Sequence, residues 1–172
     1  YTPVSKARAA YWAGRAAEEN GNHDIAVEWM QKAARHPTVF YGQLAHAWLT
    51  SKAPLNLPST PTASDADKQA FEANELVRMT RQLAKAGDTK TRDLFLSTLA
   101  ARARSETEFA LTSQLATQVG GTASGGAVAK QALRNGVVLV EAGWPQLHLP
   151  EQVKIEDALA LSITRQESQF DP

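Results

Sequence analysis

Thirty of the 172 residues are alanine, and this limits the fold more than any other feature of the chain. Alanine loses no side-chain entropy on entering a helix and is the strongest helix former. Leu, Gln, Glu, Arg and Lys fill much of the remainder. The Val-Ile-Thr alternation that a half-buried strand requires is almost absent. The nearest case, Val137-Val138-Leu139-Val140, is four residues long and sits inside a longer helical pattern. The fold class expected is all-α.

Punctuation by Gly, Pro and capping residues places the helices. The first is expected over about 4–20, stopped by Gly21, and the second over about 24–35, closed by Pro37. A third covers about 39–49. Residues 51–64 contain three prolines and read as an extended linker lying along the helical surface. A long helix is predicted over about 65–86 with Gly87 as its cap, and another over about 89–104. Ser105 and Glu108 have the spacing of a capping box, which starts a helix ending near Val119. Glycine-rich 120–126 reads as a turn, 127–142 as a helix broken by Gly143-Trp144-Pro145, and 155–168 as the last helix. One unit, from Ala13-Gly14 through Ala26 and Ala33 to Pro37, has tetratricopeptide-like spacing, and no second copy matches it. The architecture expected is a superhelical stack of helical hairpins, an α-solenoid of tetratricopeptide-like character. The chain has the length of about one domain. It opens on Tyr1 with no signal-peptide pattern and stops at Pro172 without a tail, and reads as a fragment.

Lys plus Arg and Asp plus Glu both number 18, so the net charge is zero. Nucleic-acid binders carry a basic excess, so no nucleic-acid partner is expected. No apolar run is long enough for a membrane span. There is no cysteine, which removes thiol catalysis, disulfides and Cys-based zinc sites. His23, His36, His46 and His148 are never spaced i, i+3 or i, i+4, so no metal or other cofactor is expected. Gly121 and Gly126 enclose four residues as a phosphate loop would, but Ala127 and Val128 stand where that loop needs Lys and Ser or Thr. Tyr11, Trp12, Trp29, Phe40, Tyr41 and Trp48 crowd the first 50 residues. Such rings can stack on sugar faces; the plainer expectation is that they fill gaps between alanine-rich helices.

The last helix differs from the rest. Ala158 to Ile163 is nearly all apolar, as in a helix buried on most sides. Glu167 continues the face of Ala160 and Ile163, seven and four residues back. A carboxyl group there would be partly desolvated and close to the negative helix end, and both effects raise a Glu pKa towards the range of a general acid. The plainer expectation for a helix-end Glu is a solvated one.

The string Ala160-Leu161-Ser162-Ile163-Thr164-Arg165-Gln166-Glu167-Ser168-Gln169-Phe170-Asp171-Pro172 closely resembles the first catalytic helix of soluble lytic murein transglycosylases. Tyr11-Trp12-Ala13-Gly14-Arg15-Ala16 and Thr38-Val39-Phe40-Tyr41-Gly42-Gln43-Leu44-Ala45 resemble the end of that family's U-shaped superhelical domain. Gly143-Trp144-Pro145 resembles the link before its catalytic domain. The resemblance implies a division into 1–50 (end of the U-shaped domain), 51–64 (Pro-rich linker), 65–149 (helical linker domain) and 150–172 (first helix of a truncated lysozyme-like domain). It implies that Glu167 is the catalytic acid, with Ser168 beside it as a substrate-binding residue; Asp171 is given only the plain role of ending the helix. It also implies the reaction. Glu167 protonates the glycosidic oxygen between N-acetylmuramic acid and N-acetylglucosamine, then serves as base for the C6 hydroxyl, which closes a 1,6-anhydro ring. The parent would work on peptidoglycan glycan strands in the periplasm of a Gram-negative bacterium, beside proteins of cell-wall synthesis or division. The family's later Gly-Leu-Met-Gln motif has no match here, so the chain alone is expected to be inactive, since one helix supplies no pocket walls. The competing readings are a non-catalytic helical-repeat scaffold and a peptidoglycan- or protein-binding module.

Overall fold

The computed structural model describes residues 2–51, 53–150 and 154–168. Among them every regular element is an α-helix and there is no strand. The chain divides into two compact units, Tyr1–Leu57 and Pro58–Pro172.

The first unit contains α1 (Pro3–Glu19), α2 (His23–Ala34) and α3 (Phe40–Thr50), each in contact with the other two. Thr2 caps α1 by accepting the Ser5 N–H, and Pro3 opens the helix where no N–H is needed. Gly21, at φ 75°, turns the chain into α2. Small residues let the helices close on one another: Ala7, Ala10 and Gly14 of α1, Ala26, Met30 and Ala33 of α2, and Gly42 and Ala45 of α3 are buried. A Cβ on Gly14 would lie 3.2 Å from Cγ and Cε of Met30. On Gly42 it would meet the His36 carbonyl. Of the positions in the tetratricopeptide-like spacing, Gly14, Ala26 and Ala33 are buried and Ala13 is half-buried.

The second unit contains α4 (Asp65–Ala73), α5 (Glu75–Ala86), α6 (Thr89–Arg102), α7 (Glu106–Arg134), α8 (Val140–Gly143) and α9 (Asp157–Glu167). The single helix expected over 65–86 is two. Asn74 adopts φ −66° and ψ 128°, and its Oδ1 accepts the Leu76 N–H at 2.9 Å, so the side chain caps a new helix instead of continuing the old one. The turn expected over 120–126 is confined to Gly121, at φ 77° and ψ −174°. Beyond it the chain is helical again, and the two arms of α7 fold back against each other. Ser113 Oγ donates to the Gly125 carbonyl at 3.2 Å, and a Cβ on Gly125 would strike Thr117. The glycines therefore serve close helix–helix approach more than loop formation. Arg92 reaches the kink from α6 by donating to the Val119 carbonyl at 2.9 Å.

The helix expected over 127–142 ends at Arg134. Gly136 turns left-handed at φ 83°, and 137–139 run without helix. There Val137 and Leu139 are buried with Phe109, Ala110, Ala129 and Ala132, so the β-branched run does override the helical pattern, as packed irregular chain and not as strand. A second cluster joins Val77 of α5, Leu96, Leu99 and Ala100 of α6, and Leu115, Ala116 and Val128 of α7.

Capping at α4 carries a prediction. Ser64 Oγ accepts the Asp67 N–H at 3.1 Å, and the Asp67 carboxylate accepts from Ser64 Oγ at 2.6 Å and from Ser64 N at 3.0 Å. Those bonds, the hydroxyl's first, hold Asp67 below its ordinary value. A depressed carboxyl stabilises the fold above its unfolded pKa, and that contribution disappears as pH falls through the folded value. Ser64→Ala should therefore cost about 1 kcal/mol near neutral pH. The gap between the two proteins should narrow on acidification, as urea melts across the acid range would record. Ser105 caps α7 in similar fashion, accepting the Glu108 N–H at 3.1 Å, while Glu108 accepts the N–H of Arg104 and not that of Ser105. The expected capping box is thus half formed in its usual register.

Candidate functional site

Glu167 is the last residue of α9, an eleven-residue helix that starts after Glu156 with Asp157 in its first turn and Arg165 in its last. Both charges suit the helix dipole. The expectation of a helix buried on most sides is overturned: α9 has no buried residue. Leu159 is 53% and Ile163 51% exposed, and Glu167 is exposed as well. These three, at i, i+4 and i+8, make one stripe on one face. Glu167 therefore shares the face of Ile163, as the spacing predicts, and of Leu159, while Ala160 is half-buried; Leu159 and Ile163 stand open to solvent and the carboxylate is not enclosed. It has no hydrogen-bond or ion-pair partner among the described residues. Ser168 is half-buried, and its hydroxyl is turned back onto the helix, donating to the Thr164 carbonyl at 3.2 Å. Gln169 to Pro172, and with them the helix-ending role expected of Asp171, lie outside the described residues.

On the opposite face of α9, Arg165 makes the one side-chain hydrogen bond to the rest of the unit among the described residues. Arg165 Nε donates to the Gly143 carbonyl at 2.7 Å, and its guanidinium carbon lies 4.5 Å from the centre of the Trp144 ring. Burial pushes the Arg165 pKa down from its ordinary value. A hollow of about 430 Å³ lies between α9 and this corner, lined by Trp144, Pro145, Ala158, Leu161, Ser162 and Arg165 among others. Sequence reasoning did not single out Arg165. The only signal available was a cation in the last turn of a helix whose upstream link carries a tryptophan.

The remaining candidates scatter. His23 Nδ1 lies 2.9 Å from Glu18 Oε2, and His46 Nε2 lies 3.0 Å from the Ala53 carbonyl oxygen. Burial first, then the Lys6 charge, lowers the His36 pKa. His148 is exposed. Among the described residues no three His, Asp or Glu side chains gather as metal ligands would, and no helix is long and apolar enough to cross a membrane. Gly121 and Gly126 form no phosphate loop, since helix fills the space between them. The aromatic expectation holds in part. Tyr11 is buried, and Tyr41 and Trp48 pack against the same cluster. Trp12 and Phe40 are instead 56% and 65% exposed, with Tyr41 between them at ring distances of 6.4 and 5.3 Å.

No family model matches the chain, and no curated protein or solved structure matches it either.

Proposed function

We propose that this chain belongs to a peptidoglycan lytic transglycosylase, an enzyme that cleaves the β-1,4 bond between N-acetylmuramic acid and N-acetylglucosamine with formation of 1,6-anhydro-N-acetylmuramic acid. The observation that carries the reading is the run from Ala160 to Pro172, with its Glu-Ser pair at 167 and 168 ending an apolar helix. The open Leu159–Ile163–Glu167 stripe supports it: a catalytic carboxyl at the edge of an apolar face suits a helix that further protein must cover before a pocket exists. On this reading α9 is the first helix of a lysozyme-like catalytic lobe, and the upstream helices are a tetratricopeptide-like superhelix and its link. The protein works in the periplasm on glycan strands, beside proteins of cell-wall synthesis or division. Glu167 gives its proton to the leaving oxygen and then takes one from the C6 hydroxyl, so a single carboxyl group serves both steps and water is not the nucleophile.

The exposed Trp12 and Phe40 favour a second reading, a peptidoglycan-binding module with no chemistry of its own, because exposed rings offer stacking faces to sugars. Incubation with purified peptidoglycan separates the two. The chain should be compared with the longest natural polypeptide that carries it, and products read by mass spectrometry. Release of 1,6-anhydromuropeptides by the longer polypeptide alone is the expected result. Sedimentation with peptidoglycan but no product from either would sink the enzyme and leave the binding module.

A further inference from the structure

We infer that Arg165 is the positioning residue that docks α9 on the second unit and so decides which face of the helix is turned outward. An eleven-residue helix is too short to persist in water by its own hydrogen bonds. The usual remedy, full burial of an apolar stripe, is missing here: no residue of α9 is buried, Leu159 and Ile163 are half exposed, and Ala160 and Leu161 are only half-buried. The one specific polar contact among the described residues is that of Arg165 with Gly143 and Trp144.

The anchor point is firm. Gly143 is buried, and a Cβ on it would lie 3.6 Å from Ala129 Cβ. Its N–H donates to the carbonyl of Leu139, itself 2% exposed, at 2.8 Å, and Trp144 N–H donates to Val140 at 2.8 Å. The carbonyl and the ring that receive Arg165 are therefore both tied to the cluster around Phe109 and Leu139. The guanidinium suits the task. Its Nε donates to the carbonyl while the guanidinium carbon lies 4.5 Å from the centre of the indole, two contacts that a flexible ammonium does not make together. Its withdrawal from water strengthens both.

The consequence for Glu167 follows from helix geometry. Two residues along a helix amount to a rotation of about 200°. With Arg165 held inward, Glu167 is carried to the far side, together with Leu159 and Ile163. Arg165 acts through the helix and touches no reacting atom. Its bearing on catalysis rests on the transglycosylase reading; its role as an anchor does not.

Hydrogen exchange of the whole chain tests the anchor. Arg165→Gln should speed amide exchange across 157–167 by about tenfold and leave α6 and the arms of α7 unchanged. Arg165→Lys, which keeps the charge over the ring, should recover part of the protection. Trp144→Ala should add little to Arg165→Gln, since the ring contact is already lost there. Unaltered exchange in α9 for Arg165→Gln would overturn the inference, as would full additivity of the pair. In the longest natural polypeptide, Arg165→Gln should lower kcat while KM stays close to its original value. Faster α9 exchange with no anhydro product from any version, the original included, would uphold the anchor and remove the enzyme reading. Product formation with exchange unaffected by the substitution would do the reverse.

Discussion

Glu167→Gln in the longest natural polypeptide carrying this sequence should cut anhydromuropeptide release by about 10²- to 10⁴-fold, the range over which a positioned acid–base group contributes to rate. Glutamine keeps the size of the side chain and its hydrogen-bonding oxygen but cannot give up a proton. Glu167 is exposed and bonds no described residue, so the change should leave thermal unfolding where it was. The loss of rate would then belong to chemistry and not to folding. Time courses of product by mass spectrometry, paired with melts, read both quantities. Rates within threefold of the original would show that another group supplies the proton.

Leu115→Ala should destabilise the second unit by about 2–5 kcal/mol. Leu115 is 1% exposed and lies among Val77 of α5, Leu96 and Leu99 of α6, and Val128 from the other arm of α7. Its removal leaves a cavity that four helical segments border, and a small core has little means to collapse around it. Total stabilities are usually about 5–15 kcal/mol, so the change takes a large share. Leu159→Ala, the same chemistry on exposed α9, should cost about 0.5 kcal/mol or less. Urea unfolding followed by Trp144 emission, with the other three tryptophans replaced by phenylalanine, reports the second unit alone. Equal effects at Leu115 and Leu159 would mean that α9 is packed as tightly as the core.

Local rules read the first unit well because its signals are local. Thr2 and Pro3, Gly21, and the small residues of α1 and α2 act within a few positions of themselves, and the three helices lie within two residues of where those signals put them. Misreadings arose where a residue serves a distant partner. Glycines at 120–126 resemble a loop until Gly125 is seen to admit Thr117 and Ser113 from the opposite arm. Val137 and Leu139 leave the helix for a cluster whose other members begin at Phe109. Asn74 is a local signal of the break, since an Asn among helix formers competes for the backbone with its own side chain. At the candidate site, Glu167 and Ser168 are singled out in the sequence by resemblance to a known string alone. Their environment was not, because the exposure of α9 depends on what stands opposite it. The bond from Arg165 to Gly143 spans 22 positions, a distance no periodicity encodes.

The fold-back at Gly121 bears on how the polypeptide is made. Residues that meet across it, Phe109 and Ala110 with Ala129 and Ala132, are separated by about one helical hairpin of chain. The first unit is equally near-sighted: its cluster is complete once Leu49 has been added. Contacts of short sequence separation form early and at small entropic cost. Synthesis adds roughly 5–20 residues each second, far slower than a helical hairpin closes. A nascent chain of this design shuts its first core before the second is translated. The cluster from Val77 to Val128 then waits only for the returning arm of α7. At no stage need a long stretch of apolar side chains stand idle outside the ribosome, which is where aggregation of newly made chains begins.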